Sequence, residues 1–162
     1  MIFRLLHDLR SLRMILFSNP ASLAIFPVTI TLLGGPVPSA QGGVSKTGHR
    51  FVPKRQSEAV AFVRAAASEA MLDRVMLSGP LRIDFLAEMP IPKGFSRKLR
   101  EAAIRGEIYP TKRPDLKNLA ALVEDALKTV VYEDDCAVCE QHNHKRYGIQ
   151  PKIVVTVSGI TR

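Results

Sequence analysis

Between residues 56 and 130 the spacing of the apolar side chains changes from a helical pattern to an alternating one and back again. In residues 59–71 apolar side chains recur every three or four positions, as on one buried face of a helix. In residues 81–88 they alternate with charged ones, as in a strand that buries one face. Residues 116–130 return to the helical spacing. This succession predicts helices packed against one side of a sheet.

The rest of the chain supplies further elements. Residues 28–33 are rich in β-branched and aliphatic side chains and predict a first strand, while Val138 and residues 153–157 mark two last strands. A short basic helix is expected between Ser96, a suitable N-cap, and Gly106, a suitable stop. The order strand, helix, strand, helix, strand, strand predicts an α+β fold, with two main helices packed on a small mixed β-sheet.

The amino-terminal segment is interpreted as a separate extension over residues 1–27, weakly structured or the product of an upstream start, with the functional chain then beginning near Met14. Arginines before an apolar run resemble a signal peptide. Pro20 and Pro27 interrupt that run, however, and no stretch of ~20 apolar residues is available to span a bilayer. Residues 28–162 are expected to form the single domain, and no membrane partner is expected.

The charge of the chain favours polyanionic partners. The formal net charge is +8 although 46% of the residues are hydrophobic, which describes a folded basic protein. Nucleic acid is the expected partner, because phosphates neutralised by Lys or Arg release condensed counterions; an anionic membrane surface is the alternative. The two cysteines are too few for a disulfide framework and fit a reducing cytoplasm.

Three blocks of sequence carry a resemblance to a known family. The first runs from Arg113 through Pro114 and Asp115 to Leu119, the second covers residues 124–127, and the third is the aromatic and acidic run from Tyr132 to Asp135. In this order and spacing they resemble the signature of the RusA-type Holliday junction resolvases, which are crossover junction endodeoxyribonucleases. Looser similarity extends over residues 35–53 and to Lys145 and Arg146.

The resemblance implies an activity for residues 28–162: a homodimeric, magnesium-dependent endonuclease that resolves four-way junctions and related branched DNA in recombination and repair. It implies that Asp115 and Asp135 bind the metal and are catalytic, with Asp134 as a further ligand. Magnesium prefers hard oxygen ligands and is commonly held by one or two carboxylates together with phosphate oxygens, so these residue types suit it. The residues expected to contact DNA are basic: Arg113, Lys112, Lys145, Arg146, Lys54 and Arg55.

Two positions depart from the family pattern. Lys117 stands where the family has a second aspartate, and Ala121 stands where it has a lysine. A charged lysine has no acceptor and cannot bind a metal ion. We hypothesise that Lys117 is catalytic instead, by placing a positive charge near the phosphate; a solvated surface lysine is the alternative. A DNA-binding protein with weakened catalysis is therefore the second functional interpretation.

The two principal aspartates are predicted to be far apart along the chain's second main helix. Asp115 begins that helix and Asp135 lies past its end, so about 20 Å could separate them in one subunit. Two arrangements would bring them together. Either the following strand folds back so that its early residues approach the helix start, or a twofold dimer places Asp135 beside Asp115 of the other subunit.

A competing motif is the run Cys136, Cys139, His142 and His144, whose side chains are common zinc ligands. On a strand, however, Cys139 would point away from the other three, which prevents all four from meeting. A zinc-stabilised nucleic-acid adaptor is the third functional interpretation.

Overall fold

The computed structural model describes residues 27–34, 43–44, 50–51 and 54–160. The predicted extension over residues 1–27 lies outside the described residues, apart from Pro27. In the described part of the chain, three helices accompany a four-stranded mixed sheet, which confirms the α+β prediction.

The described elements have the following bounds. The strands are β1 (Val28–Leu33), β2 (Gly43–Val44), β3 (Arg50–Phe51), β4 (Leu81–Pro90), β5 (Val138–Gly148) and β6 (Lys152–Gly159). The helices are α1 (Lys54–Ala70), α2 (Arg97–Ile104) and α3 (Leu116–Leu127). Strands β2 and β3 form a separate two-stranded ribbon that the apolar spacing did not indicate.

The main sheet has the strand order β1, β6, β4, β5. Strand β6 is antiparallel to both β1 and β4, whereas β4 and β5 are parallel. A parallel pair needs a long crossover connection, and here the connection contains α2 and α3. The crossover brings the start and the end of α3 close to β5, and this proximity sets the geometry of the acidic residues.

Helices α1 and α3 pack against one face of the sheet. The alternation predicted for β4 is present, since Ile83, Phe85 and Ala87 are each at most 2% exposed. They meet the apolar residues of β1 and β6 and the buried faces of the helices. The helical part of this core consists of Val63 and Ala67 of α1 and Leu119, Ala120, Leu122, Val123, Ala126 and Leu127 of α3.

The ends of α2 and α3 follow their sequence signals. The Ser96 side chain accepts a hydrogen bond from the Leu99 N–H at 3.4 Å, and Gly106 after α2 has φ +77°, a conformation that favours glycine. Helix α3 begins at Leu116, as predicted, but ends at Leu127 and not near Val130. It ends earlier because Lys128 adopts an extended backbone conformation, with ψ 136°.

The other face of the sheet carries an acid that is buried. Glu88 is 8% exposed, and its carboxylate accepts hydrogen bonds from Arg146 at 2.6 and 3.0 Å. Lys152 Nζ lies 3.5 Å from the second oxygen. A Cβ at Gly148 would lie 2.8 Å from Glu88 Cβ, so this position needs glycine for the strands to close around the acid. No helix within residues 54–160 is long and apolar enough to cross a membrane.

Candidate active site

Asp115 occupies the N-cap position of α3. Its backbone is extended, with φ −72° and ψ 139°, and its side chain makes no capping hydrogen bond to the helix. The residue is exposed. An N-cap carboxylate ordinarily accepts a bond from the first helical turn, and among the described residues Asp115 lacks that usual helix partner. The amino terminus of the helix also favours a negative group at this place.

A second group of acids lies just beyond the other end of α3. Lys128, the residue after the helix, places Nζ 3.1 Å from Asp134 Oδ2 and 3.1 Å from Asp135 Oδ1. Asp134 also accepts a hydrogen bond from the backbone N–H of Cys136 at 3.0 Å. The two carboxylates are 52% and 59% exposed. They therefore form a solvent-facing acidic pair with one ammonium bound to both.

The electrostatics of this pair favour the ionised carboxylate at Asp134. Its pKa is held well below the usual range by a hydrogen bond with Asp135, by the backbone N–H and the thiol of Cys136, and by Lys128. The pKa of Lys128 is raised, chiefly because it donates to Asp135 and Asp134. The cluster consequently holds an ionised Asp134 carboxylate beside the bound Lys128 ammonium, and a divalent cation would have to compete with that ammonium.

The two acidic regions do not meet within one chain. Asp115 and Lys128 lie thirteen positions apart on a continuous helix, about 20 Å at ~1.5 Å per residue. Strand β5 does fold back along α3, since Gln141 hydrogen-bonds to Glu124 in the middle of the helix. The β5 side chain that reaches the start of α3 is Lys145, late in the strand, whereas Asp135 stays at the helix end.

The donor atoms at the helix end suit a hard cation. Carboxylate oxygens of Asp134 and Asp135 and the Sγ of Cys136 lie within 4.8 Å of one another. The pKa of the Cys136 thiol is raised by its hydrogen bond to Asp134 and by the charge of that carboxylate. A thiol that resists ionisation is a poor ligand for a soft metal, which leaves two exposed carboxylates, the donor set that magnesium prefers.

The four potential zinc ligands point to separate partners. Cys139 donates to the Ala137 carbonyl, His142 lies by Asp84 and Arg82, and the His144 ring contacts Tyr109 edge to face. Within residues 54–160, where all four are placed, they form no common cluster of donor atoms. Cys136 lies before the start of β5, and Cys139 has no β4 partner because the pairing shifts register between Val138 and Glu140. The simple strand alternation that the sequence analysis assumed for the four residues is therefore not what separates them.

Comparison with known proteins places this arrangement in a family. Residues 34–158 match the family described as endodeoxyribonuclease RusA. The chain belongs to the RusA endodeoxyribonuclease family. It is also 30% identical over 141 residues to a Bacillus subtilis (strain 168) protein described as "Uncharacterized protein YqaN", a match that covers 83% of this chain and 97% of that one. The matched span includes both ends of α3, so the RusA resemblance of the three blocks is confirmed.

The basic residues predicted to contact DNA differ in their surroundings in this RusA-family protein. Lys112, Arg113 and Arg55 are exposed, and Lys54 is exposed beside Glu58 at 3.7 Å. Arg146 is half exposed and bound to Glu88. Lys145 is partly buried and donates to two backbone carbonyls. Lys145 lies next to Lys112 and Arg113 through its bond to the Lys112 carbonyl, and the role of these side chains toward DNA stays a prediction.

The sequence analysis did not identify Lys128 at the acidic pair of this RusA-family protein, nor the buried Glu88 on the opposite face of the sheet. Lys128 had no signal, because a lysine after a helix is ordinarily solvated and only the tertiary fold brings it to Asp134 and Asp135. Glu88 continued the outward-facing polar series of β4, which indicated an exposed acid. Its burial follows from Arg146 and Gly148 on the neighbouring strand, and strand pairing is not visible in the local pattern.

Proposed function

We propose that this RusA-family protein is a magnesium-dependent endodeoxyribonuclease that resolves four-way DNA junctions and related branched DNA as a homodimer. The proposal depends on exposed carboxylates at both ends of α3. At the start of the helix stands Asp115, whose side chain makes no capping hydrogen bond, and beyond its end lie Asp134 and Asp135. In this proposal the protein acts in recombination and repair.

The separation of the acids supports a shared site between two subunits. The helix α3 separates Asp115 from Lys128, the residue that binds Asp135, by about 20 Å, so a single ion with ligand distances of ~2 Å is not expected to bind Asp115 and Asp135 of one chain. A twofold dimer can place Asp135 of one subunit beside Asp115 of the other, and symmetry then creates two equivalent sites. Two sites are what paired cleavage of a four-way junction requires.

The chain's own residues would have distinct tasks in such a site. Asp115 and Asp135 would hold the ion, and Asp134 would supply a further oxygen. Bound magnesium would polarise the scissile phosphate and lower the pKa of a coordinated water. The Lys128 ammonium would break its ion pairs with Asp134 and Asp135 when the metal ion binds, because the same carboxylate oxygens cannot bind both cations fully. Exposed Lys112 and Arg113 would lie along the DNA backbone next to Asp115.

The DNA-binding protein with weakened catalysis is the second candidate. Lys117 stands in the first turn of α3, exposed, and adds positive charge where a metal would bind. Lys128 already neutralises part of the acidic pair. Both positive charges would raise the magnesium concentration needed to fill a site built from these residues. This candidate would be favoured if the protein binds junctions but does not cleave them.

Cleavage of a synthetic four-way junction tests the proposal directly. The end-labelled junction would be incubated with the protein in Mg²⁺ and in EDTA, with linear duplex of one arm's sequence as the control substrate. We expect paired nicks near the branch point in Mg²⁺ alone and no cutting of the duplex. Junction binding without cleavage at any Mg²⁺ concentration would contradict the enzyme proposal and favour the second candidate.

Lys117→Ala is expected to lower the cleavage rate by about 10-fold, a modest factor because water and salt screen a charge on an exposed side chain. Single-turnover cleavage at saturating protein measures it without interference from binding. Lys98→Met on α2 removes the same charge at an exposed position and serves as the control. Undiminished cleavage by Lys117→Ala would show that Lys117 is a solvated surface lysine.

A further inference from the structure

We propose that Lys145 is a positioning residue that fixes the backbone in front of Asp115. This inference rests on the proposed function, because it assigns Asp115 a place in the metal site. It differs from the sequence-based expectation that Lys145 contacts DNA phosphates.

The contacts of Lys145 are with backbone carbonyls on the approach to α3. Its Nζ donates to the carbonyl of Lys112 at 3.2 Å and to the carbonyl of Pro114 at 3.0 Å. The second carbonyl belongs to the peptide bond whose nitrogen is that of Asp115. Lys145 therefore holds residues 112–114, which immediately precede the proposed metal-binding aspartate, and it does so from a different element of the fold.

The strand that carries Lys145 is held in place by its pairing with β4. Lys145 lies on β5 opposite Ala87 of β4, and Ala87 is fully buried beneath the helices. Side chains on this face of the sheet point toward the helix layer, because residues alternate between faces along a strand. Lys145 is accordingly partly buried, unlike its exposed neighbours His144 and Arg146.

The chemistry of the ammonium suits an anchor better than a phosphate contact. It has three donors and no acceptor, and two of the donors are committed to carbonyl oxygens. No carboxylate within the described ranges forms an ion pair with it, so its charge strengthens the two bonds to the loop. A phosphate could contact the same group only through its third donor, and the side chain that carries it is partly buried.

The Asp115 side chain depends on this anchor, because it has no capping bond of its own to the helix. Its direction is set by the backbone that precedes it. Misplacing a reacting group by about 1 Å can reduce a rate by about 100-fold, so loosening this turn is expected to act on the chemical step more than on DNA binding.

The test uses Lys145→Met, which keeps most of the side-chain stem and removes the donors. We expect single-turnover junction cleavage to fall by about 10-fold to 100-fold. The junction Kd measured in Ca²⁺, and its dependence on salt, should match those of Lys98→Met, which loses the same charge. Amide hydrogen exchange should accelerate at Leu119, whose N–H donates to the Asp115 carbonyl at 3.1 Å at the start of α3, and stay unchanged in β4 and β6. Lys145→Arg, which can still donate to both carbonyls, should recover part of the rate.

Two results would overturn the proposal. One is unchanged exchange of the Leu119 amide in Lys145→Met, a readout that holds even if the wild-type protein does not cleave junctions. The other is weaker junction binding with an unchanged cleavage rate, where the slope of log affinity against log salt concentration falls by about one. That result would indicate a contact between Lys145 and a phosphate. Failure of the wild-type protein to cut would instead count against the proposed function. If Lys145→Met does not fold, Lys145→Gln, which removes the charge and shortens the side chain, replaces it in both measurements.

Discussion

Asp115→Asn is expected to lower the rate of junction cleavage by at least about 100-fold while junction binding persists. Partners that merely orient a metal ligand cost about 10-fold to 100-fold when removed, so loss of a direct ligand should cost more. Asparagine keeps the size of the side chain and one oxygen but loses the negative charge. The basic residues that attract DNA are untouched, and the carboxylate makes no capping bond whose loss would destabilise α3.

Single-turnover cleavage and a gel-shift Kd in Ca²⁺ separate these two effects. Asp125→Asn, which removes the same charge from an exposed position of the same helix, is the matched control and should cleave at close to the wild-type rate. A cleavage rate for Asp115→Asn within a few-fold of the wild type would remove Asp115 from the metal site.

Asp135→Asn is expected to reduce cleavage to a similar extent, by about 100-fold, because it removes the ligand that the proposal takes from the other end of α3. It also leaves Lys128 with Asp134 as its remaining carboxylate partner. Since all three side chains are substantially exposed, thermal stability should change little.

The cleavage rate as a function of Mg²⁺ concentration measures the effect of Asp135→Asn, and Glu133→Gln, an exposed neighbour, is the control. If Asp135→Asn cleaves normally while Asp134→Asn does not, the metal ligand at this end is the other member of the pair. Normal cleavage by both variants would mean that the acidic pair serves only to bind Lys128.

The sequence predicted the elements of the fold well because each has a local cause. The alternation in β4 survives because one face of the strand packs on the helices and the other does not. Ser96 caps α2 as expected, and Asp115 stands at the N-cap of α3. Helical arithmetic along α3 also anticipated that Asp115 and Asp135 lie far apart in one chain.

The contacts that give the site its chemistry could not be predicted, because they join residues distant in sequence. Lys128 and Lys145 are unremarkable lysines in the sequence, one after a helix and one in a basic strand. Pairing of β5 with β4 and its return along α3 place Lys145 at the Pro114 carbonyl. The turn after α3 places Lys128 between two carboxylates. Charge alone suggested DNA contact for Lys145, whereas its geometry suggests an anchor.

Mixing the two aspartate variants tests the shared site most directly. A dimer carrying Asp115→Asn in one subunit and Asp135→Asn in the other, isolated through two different tags, would hold one site with both carboxylates and one site with neither. We expect it to nick four-way junctions at about half the wild-type rate per dimer, on one strand at a time, while each parent homodimer stays inactive. A mixed dimer as inactive as its parents would contradict a metal site shared between subunits.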